Sequence, residues 1–227
     1  MFARLNKTYK ELGPTNTLVH ICNRVLASLF LKQVIIYKYY ITKQSVTSSL
    51  LISSGKGKNI EVSEIGSRDP ICSQLDRPSK VIQARFNQGG HCYAAFRKGE
   101  IAGYLWLNFG KYQEDEVRCT FVLSPFNKSA WDYDVYVFPK HRFSFAFPRL
   151  WEYANEVMTA RGIQNTYSRI AYYNIASLNS HKKLGSQIIG SIYFLQFFHM
   201  QLSLSFSFRP AITFSRNRQT LPDIYIS

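Results

Sequence analysis

Asn174, Ser177, His181 and Gly185 fall within the stretch NIASLNSHKKLG, where an asparagine precedes a helical run and a glycine closes it. A helix that only fills a core needs less polar detail. Asn174 can cap this helix and order the loop before it. Histidine titrates near neutrality, so an imidazolium at 181 can give up a proton. The same side chain can also serve as a helix-end residue that favours the negative end of the dipole. Upstream, Asp132, Asp134 and Tyr136 alternate along AWDYDVYVFP. Strict alternation would put all three on one face of a strand. A carboxylate there can take up a proton directly or through water, or it can pair with Arg142, Arg169 or a lysine. The chemistry open to these residues is proton transfer.

Other chemistries have less support. Cys22, Cys72, Cys92 and Cys119 are scattered, with no CxxC pair and no metal-ligand spacing. They read as free thiols in a reducing compartment, and no structural metal is expected. GKGK at 55–58 lacks the spacing of a phosphate loop and the helix that should follow one. No Ser-His-Asp order, HExxH or paired glutamate motif stands out.

The elements that must position these residues are legible in the patterning. NIEVSEI reads as a strand, PICSQLDRPSKVIQARF as mostly helical with Pro78 starting or breaking a turn, and HCYAAFRKGEIAGYLWLNF as a hairpin about Lys98, Gly99 and Glu100. A polar connector with room for one more strand leads to the aromatic strand 130–138. Leu150, Trp151, Ala154, Val157 and Met158 recur at helical spacing before Gly162. NTYSRIAY is a short strand, the asparagine-histidine stretch is a helix, and SQIIGSIYFLQFF and QLSLSFSF are closing strands. The last dozen residues read as loop or a weak edge strand. The order is mixed α/β with antiparallel portions. Trp106 and Trp131 are expected in the core rather than as a substrate platform.

In this setting the chain resembles the GNAT superfamily, the Gcn5-related N-acetyltransferases. The likeness is carried by Val137, Pro139, His141 and Arg142, then Asn174, Ser177, His181, Leu184 and Gly185. It covers about residues 59–208 in element order and about 130–190 in motif detail. The resemblance implies a GNAT-like acyl-CoA N-acyltransferase fold: a central mixed, mostly antiparallel sheet flanked by helices, with strands 130–138 and 165–171 parallel and then splayed. It implies acetyl-CoA as cosubstrate, its pantetheine arm entering the splay as a substitute strand along Val135, Tyr136 and Val137. Its pyrophosphate would sit at the N-terminus of helix 143–161, over Arg142, Phe143, Ser144, Phe145, Ala146 and Phe147, with Asn174 and Ser177 also at the cofactor. Lys140, His141 and Arg142 would add positive charge there. The family often has a tyrosine seven residues after the motif asparagine, protonating the departing thiolate. His181 stands at that position. Asp134 or Asp132 would serve as the base for an amine acceptor. One departure is plain: Phe145 and Phe147 stand where the family's phosphate loop has glycines, and a Cβ restricts close approach of the backbone to phosphate. The expected activity is transfer of an acetyl or short acyl group to an amine by direct attack in a ternary complex. The alternative is a catalytically silent GNAT-like binding or scaffold domain.

The formal net charge is +14. Residues 1–58 hold nine Lys or Arg against one acid, Glu11, a net +8. They are expected to form a basic N-terminal extension: an amphipathic helix over 16–41, capped near Asn16 or Thr15, then a linker over 42–58 rich in Ser, Thr, Lys and Gly. Residues 59–227 would be the acetyltransferase domain. Leu18, Ile21, Cys22, Val25, Leu26, Leu29 and Phe30 have helical spacing. Such a helix can pack on the domain or rest on an anionic membrane. Arg24, Lys32 and Lys38 interrupt it, so it is no membrane span. The expected location is cytoplasmic, with peripheral contact at the inner membrane surface. Without an arginine-rich run, specific nucleic-acid binding is not expected. The aromatic closing strands could pair across a homodimer.

Overall fold

Lys98 and Gly99 both take positive φ, 53° and 79°, and so form the tight hairpin turn whose twist matches that of the flanking strands. The computed structural model to which they belong describes residues 2–49, 51–53, 55–217 and 219–227. The chain divides into two compact units, each assembled from separated segments. One comprises Gln44–Tyr112 and Val122–Ser168. The other comprises the segment ending at Lys43, Gln113–Phe121 and Arg169–Ser227.

The elements follow in the order α1 (Phe2–Leu29), β1 (Val34–Ser45), β2 (Ile60–Ile65), α2 (Ser79–Asn87), β3 (His91–Arg97), β4 (Glu100–Phe109), β5 (Lys111–Gln113), β6 (Thr120–Leu123), β7 (Ser129–Val137), α3 (Ala146–Ala160), β8 (Asn165–Ala171), α4 (Ile175–Lys183), β9 (Gln187–Phe197), β10 (Met200–Ser205), β11 (Ile212–Ser215) and β12 (Asp223–Ile226). In the first unit β2, β3, β4 and β7 are antiparallel neighbours, and β8 runs parallel to β7. The right-handed crossover rule for parallel strands requires an intervening element, and α3 supplies it. Helix α3 lies on β2, β3, β4 and β7, burying Leu150, Trp151, Ala154 and Met158. Strand β4 is buried from Ile101 to Asn108, and Trp106 and Trp131 are fully buried core, as expected. The mixed α/β class, the mostly antiparallel pairing, and the parallel pair bridged by a helix make the fold GNAT-like.

In the second unit β1 pairs antiparallel with β9 from Val34 opposite Phe197 to Lys43 opposite Gln187, β9 with β10, and β10 with β11. This corrects the expected helix over 16–41. The helical stretch ends at Leu29, and VIIYKYYI is a strand. Its β-branched and aromatic residues fit a pleated surface better than a helix. The stretch is also broken at Gly13, which has φ 74° and ψ 174°, so the longer helical part starts at Pro14. The expected linker over 42–58 likewise begins with three strand residues, Thr42, Lys43 and Gln44, before Ser45 closes β1. At the other end of the chain β11 follows the closing strands, and the last dozen residues hold the short edge strand β12, as one of the two readings expected.

Candidate active site

Strand β7 pairs with β8 only from Ser129 opposite Asn165 to Asp132 opposite Ser168. At the last rung the Asp132 carboxylate, 1% exposed, accepts the Thr166 hydroxyl at 2.6 Å and the Ser168 hydroxyl at 2.5 Å. Beyond it, no ladder with β8 continues among the described residues, and Asp134, Val135, Tyr136 and Val137 are only half-buried. On its other edge β7 stays paired to β4, but with a bulge. Tyr133 lies opposite Trp106 and Tyr136 opposite Tyr104, so Asp134 and Val135 face the single residue Leu105. Asp134 takes φ 53°, a left-handed conformation that aspartate tolerates better than most residues. Close by, a Cβ at Gly103 would lie 2.6 Å from the Tyr136 carbonyl oxygen, so only glycine fits opposite Val137.

The bulge overturns the expectation that Asp132, Asp134 and Tyr136 share a face. Tyr133 and Tyr136 stack on Trp106 and Tyr104, two residues of β4 that point the same way. Asp134 joins that face, where its carboxylate meets Arg77 and Arg85, each at 2.5 Å. The Arg85 guanidinium lies over the Trp106 and Tyr133 rings, 5.5 and 5.2 Å from their centroids. Asp132 turns to the opposite face. The partners of Asp134 are thus arginines from around and within α2, and not Arg142, Arg169 or a lysine.

Between β7 and α3 the chain makes a tight turn at Pro139–His141, which delays the helix to Ala146 where the sequence suggested 143. The Ser144 hydroxyl donates to the His141 carbonyl at 2.7 Å and accepts the Ala146 N–H at 3.2 Å, capping the first turn. The N–H groups of Phe143, Phe145 and Phe147 find no acceptor among the described residues. The phenyl rings do not bury this loop: Phe143 is fully exposed and Phe145 39% exposed. Arg142 is exposed beside them, and Lys140 pairs with Glu100 at 2.7 Å. His141 is buried with neither ring nitrogen bonded; burial, then the charges of Lys140 and Arg97, push its pKa down. Leu51, Ile52 and Gly57, within the expected linker, lie against α3. Leu51 and Ile52 N–H donate to Glu152 Oε1 at 3.0 and 3.2 Å, and a Cβ on Gly57 would lie 3.0 Å from Phe145 Cβ.

His181 belongs to the second unit. Asn174 Oδ1 accepts the Ser177 N–H at 3.1 Å and so caps α4. The helix closes with Ser186 N–H on the His181 carbonyl and Gly185 N–H on that of Lys182, with Gly185 at φ 85°. His181 is 5% exposed, and its Nδ1 lies 2.9 Å from the Ser177 carbonyl, which fixes a proton on that nitrogen. The ring lines a cavity of about 460 Å³ with Thr42, Leu178 and Ile188.

A cluster that sequence reasoning passed over lies in the same unit. Arg169 reaches Glu114 at 2.7 Å and Glu116 at 2.9 Å, and Tyr39 donates to Glu116 at 2.7 Å. The signal was the run of three acids, Glu114, Asp115 and Glu116, in a strongly basic chain. Glu114 borders a cavity of about 930 Å³. Burial pushes its carboxyl up to about 7, against the opposing pull of Arg169. A carboxyl raised by the fold favours the protonated native state. That contribution is full below the ordinary glutamate value and is lost as pH rises through about 7. Urea unfolding between about pH 5 and about pH 8 should therefore show a steeper loss of stability for the parent than for Glu114→Gln.

No family model matches the chain, and no curated protein matches it in sequence. In fold it is similar to a functionally unknown conserved protein from Staphylococcus epidermidis ATCC 12228, with a TM-score of 0.54 and 9% identity over 76% of this chain and 66% of that one. It is similar to a Drosophila protein with a TM-score of 0.50 and 13% identity, over 78% of this chain and 57% of that one. The chain thus spans less than two thirds of the length of each. A GNAT family acetyltransferase from Elizabethkingia anophelis, solved with acetyl-CoA bound, aligns with a TM-score of 0.43 and 16% identity over 56% of this chain and 74% of that one.

Proposed function

From a GNAT-like fold we propose that this chain transfers an acetyl or other short acyl group from coenzyme A to an amine, by direct attack within a ternary complex. The observation that carries the reading is the edge of β7 beyond Asp132, unpaired with β8 among the described residues and half-buried, followed directly by a loop and first turn of α3 with three N–H groups that find no acceptor there. An extended pantetheine arm can add to such an edge through Val135, Tyr136 and Val137, and an N–H there can polarise the thioester carbonyl. The N–H groups of Phe143, Phe145 and Phe147 suit a pyrophosphate, with Arg142 beside them. Of the two phenylalanines in place of glycines, Phe145 is exposed and Phe147 turns toward Trp151, so neither ring occupies the space over the N–H groups by being buried in the loop.

The two aspartates take a different part from the one their alternation suggested. Arginines hold both oxygens of Asp134, and hydroxyls hold both oxygens of Asp132. We assign them to shaping β7, at its bulge and at the end of its pairing with β8, rather than to taking the amine proton. The proton for the departing thiolate is assigned to His181, on the motif resemblance and on the Ser177 carbonyl that would stabilise its imidazolium. The amine acceptor and the length of the acyl chain carry no readable motif.

Calorimetric titration with acetyl-CoA should give saturable binding, and thiol release should follow when a mixed panel of amines is added. No heat at millimolar acetyl-CoA overturns the cosubstrate. Binding without thiol release for any amine favours the silent domain that Phe145 and Phe147 suggested.

A further inference from the structure

The part of α1 after Gly13 is inside out. Its fully buried residues are polar, while Val19 and Leu26 are only half-buried. Asn16 and Thr17 are buried, Asn16 Nδ2 donates to the Tyr40 hydroxyl at 2.9 Å, and its Oδ1 accepts from the buried Lys38 Nζ at 2.6 Å. About two turns on, Asn23 Oδ1 accepts the Ile36 N–H at 3.0 Å. Four large apolar residues point the other way: Leu18 is 62% exposed, Ile21 38%, Val25 50% and Leu29 70%. They recur every three or four residues, so they form one continuous stripe, extended past the helix end by Leu31 at 82%. A surface helix of a globular domain has the reverse arrangement. Singly exposed leucines need no explanation, but a contiguous stripe marks a surface that something covers.

The charges beside the stripe identify the cover. Lys10, Arg24 and Lys32 are exposed, and Glu11 is the single acid in the first 58 residues. A second copy would bring these cations against their own kind, on a chain that already carries +14. An apolar stripe flanked by cations matches an anionic lipid surface, where the acyl boundary takes the leucines and the headgroups take the lysines and arginines. We propose that this face of α1 docks on anionic membrane with the helix lying in the interface plane. No helix among the described residues is long and apolar enough to cross a membrane, so the contact is peripheral. The proposal rests on α1 alone and stands whether or not the chain transfers acyl groups.

The test is sedimentation of the whole chain with vesicles of equal parts phosphatidylcholine and phosphatidylglycerol, against vesicles of phosphatidylcholine alone. Binding is expected only to the first. A triple variant, Leu18→Ser, Val25→Ser and Leu29→Ser, should bind roughly a hundredfold more weakly. Arg24→Glu with Lys32→Glu should bind about tenfold more weakly. A Val25→Trp variant reports separately: its indole emission should shift to the blue on the anionic vesicles, while Trp106, Trp131 and Trp151, all fully buried, stay silent. Failure of the parent to sediment, equal binding by the triple variant, or an unmoved emission in Val25→Trp each overturns the proposal. A parent dimer in light scattering that the triple variant converts to monomer assigns the stripe to a second copy and overturns it too.

Discussion

Asp134→Asn should unfold about 3 kcal/mol more easily than the parent. Asparagine keeps the volume of aspartate and tolerates the left-handed backbone at the bulge, so the substitution removes charge with little strain. What it leaves behind is the Arg85 guanidinium, whose side chain is 4% exposed, without that carboxylate. An uncompensated buried charge costs far more than an exposed pair gains. Arg77→Gln should therefore cost about 1 kcal/mol or less, because the Arg77 side chain is 38% exposed and water replaces much of what the pair supplied. The double variant Asp134→Asn with Arg85→Met should recover most of the loss, since neither charge is then buried alone. Urea unfolding of the three proteins decides the matter. A stable Asp134→Asn single variant would show that the two arginines contribute little and would return Asp134 to the list of bases.

His181→Phe should lower kcat for acetyl transfer about a hundredfold while leaving KM for acetyl-CoA near the parent value. The phenyl ring fills the same buried space, so α4 with its asparagine cap and glycine stop should be retained. A group that donates its proton to the leaving sulfur acts in the transition state and not in binding, which is why kcat alone should move. The parent's pH–rate profile should also carry a basic limb that the variant's residual rate lacks. A pH profile unchanged by the substitution removes His181 from the chemistry, even if kcat drops through packing.

Most of the local structure could be read from the chain because its signals are local. Lys98 and Gly99 announce a hairpin, Asn174 and Gly185 bracket a helix, and the spacing from Leu150 to Met158 gives α3 its buried face. The mistakes share a different cause. Asp132 and Asp134 alternate in sequence, but one extra residue in β7 opposite Leu105 rotates them apart, and a bulge is a property of two strands rather than one. The apolar spacing from Leu18 to Leu29 established a stripe but not the direction it faces, which depends on where Asn16 and Asn23 find partners. Apolar spacing alone extends the helix to Ile41, whereas the run of β-branched and aromatic residues from Val34 onward favours the strand that forms. Phe145 and Phe147 depart from a family pattern, but such a departure does not say whether the N–H groups there find acceptors, which depends on how residues 139–147 fold. Glu114 acquires its raised carboxyl from burial, against the pull of Arg169, which lies 55 residues away in the chain.

Strand β1 has a practical consequence for anyone who would probe the basic N-terminus by removing it. Ten consecutive residues from Val34 to Lys43 are paired in register with β9, and Lys38 sits at the buried junction with Asn16. A deletion through residue 58 would not trim a dispensable tail. It would expose the whole flank of β9 as a sticky, unmatched border, and the truncated protein would be expected to clump for reasons unrelated to lipid.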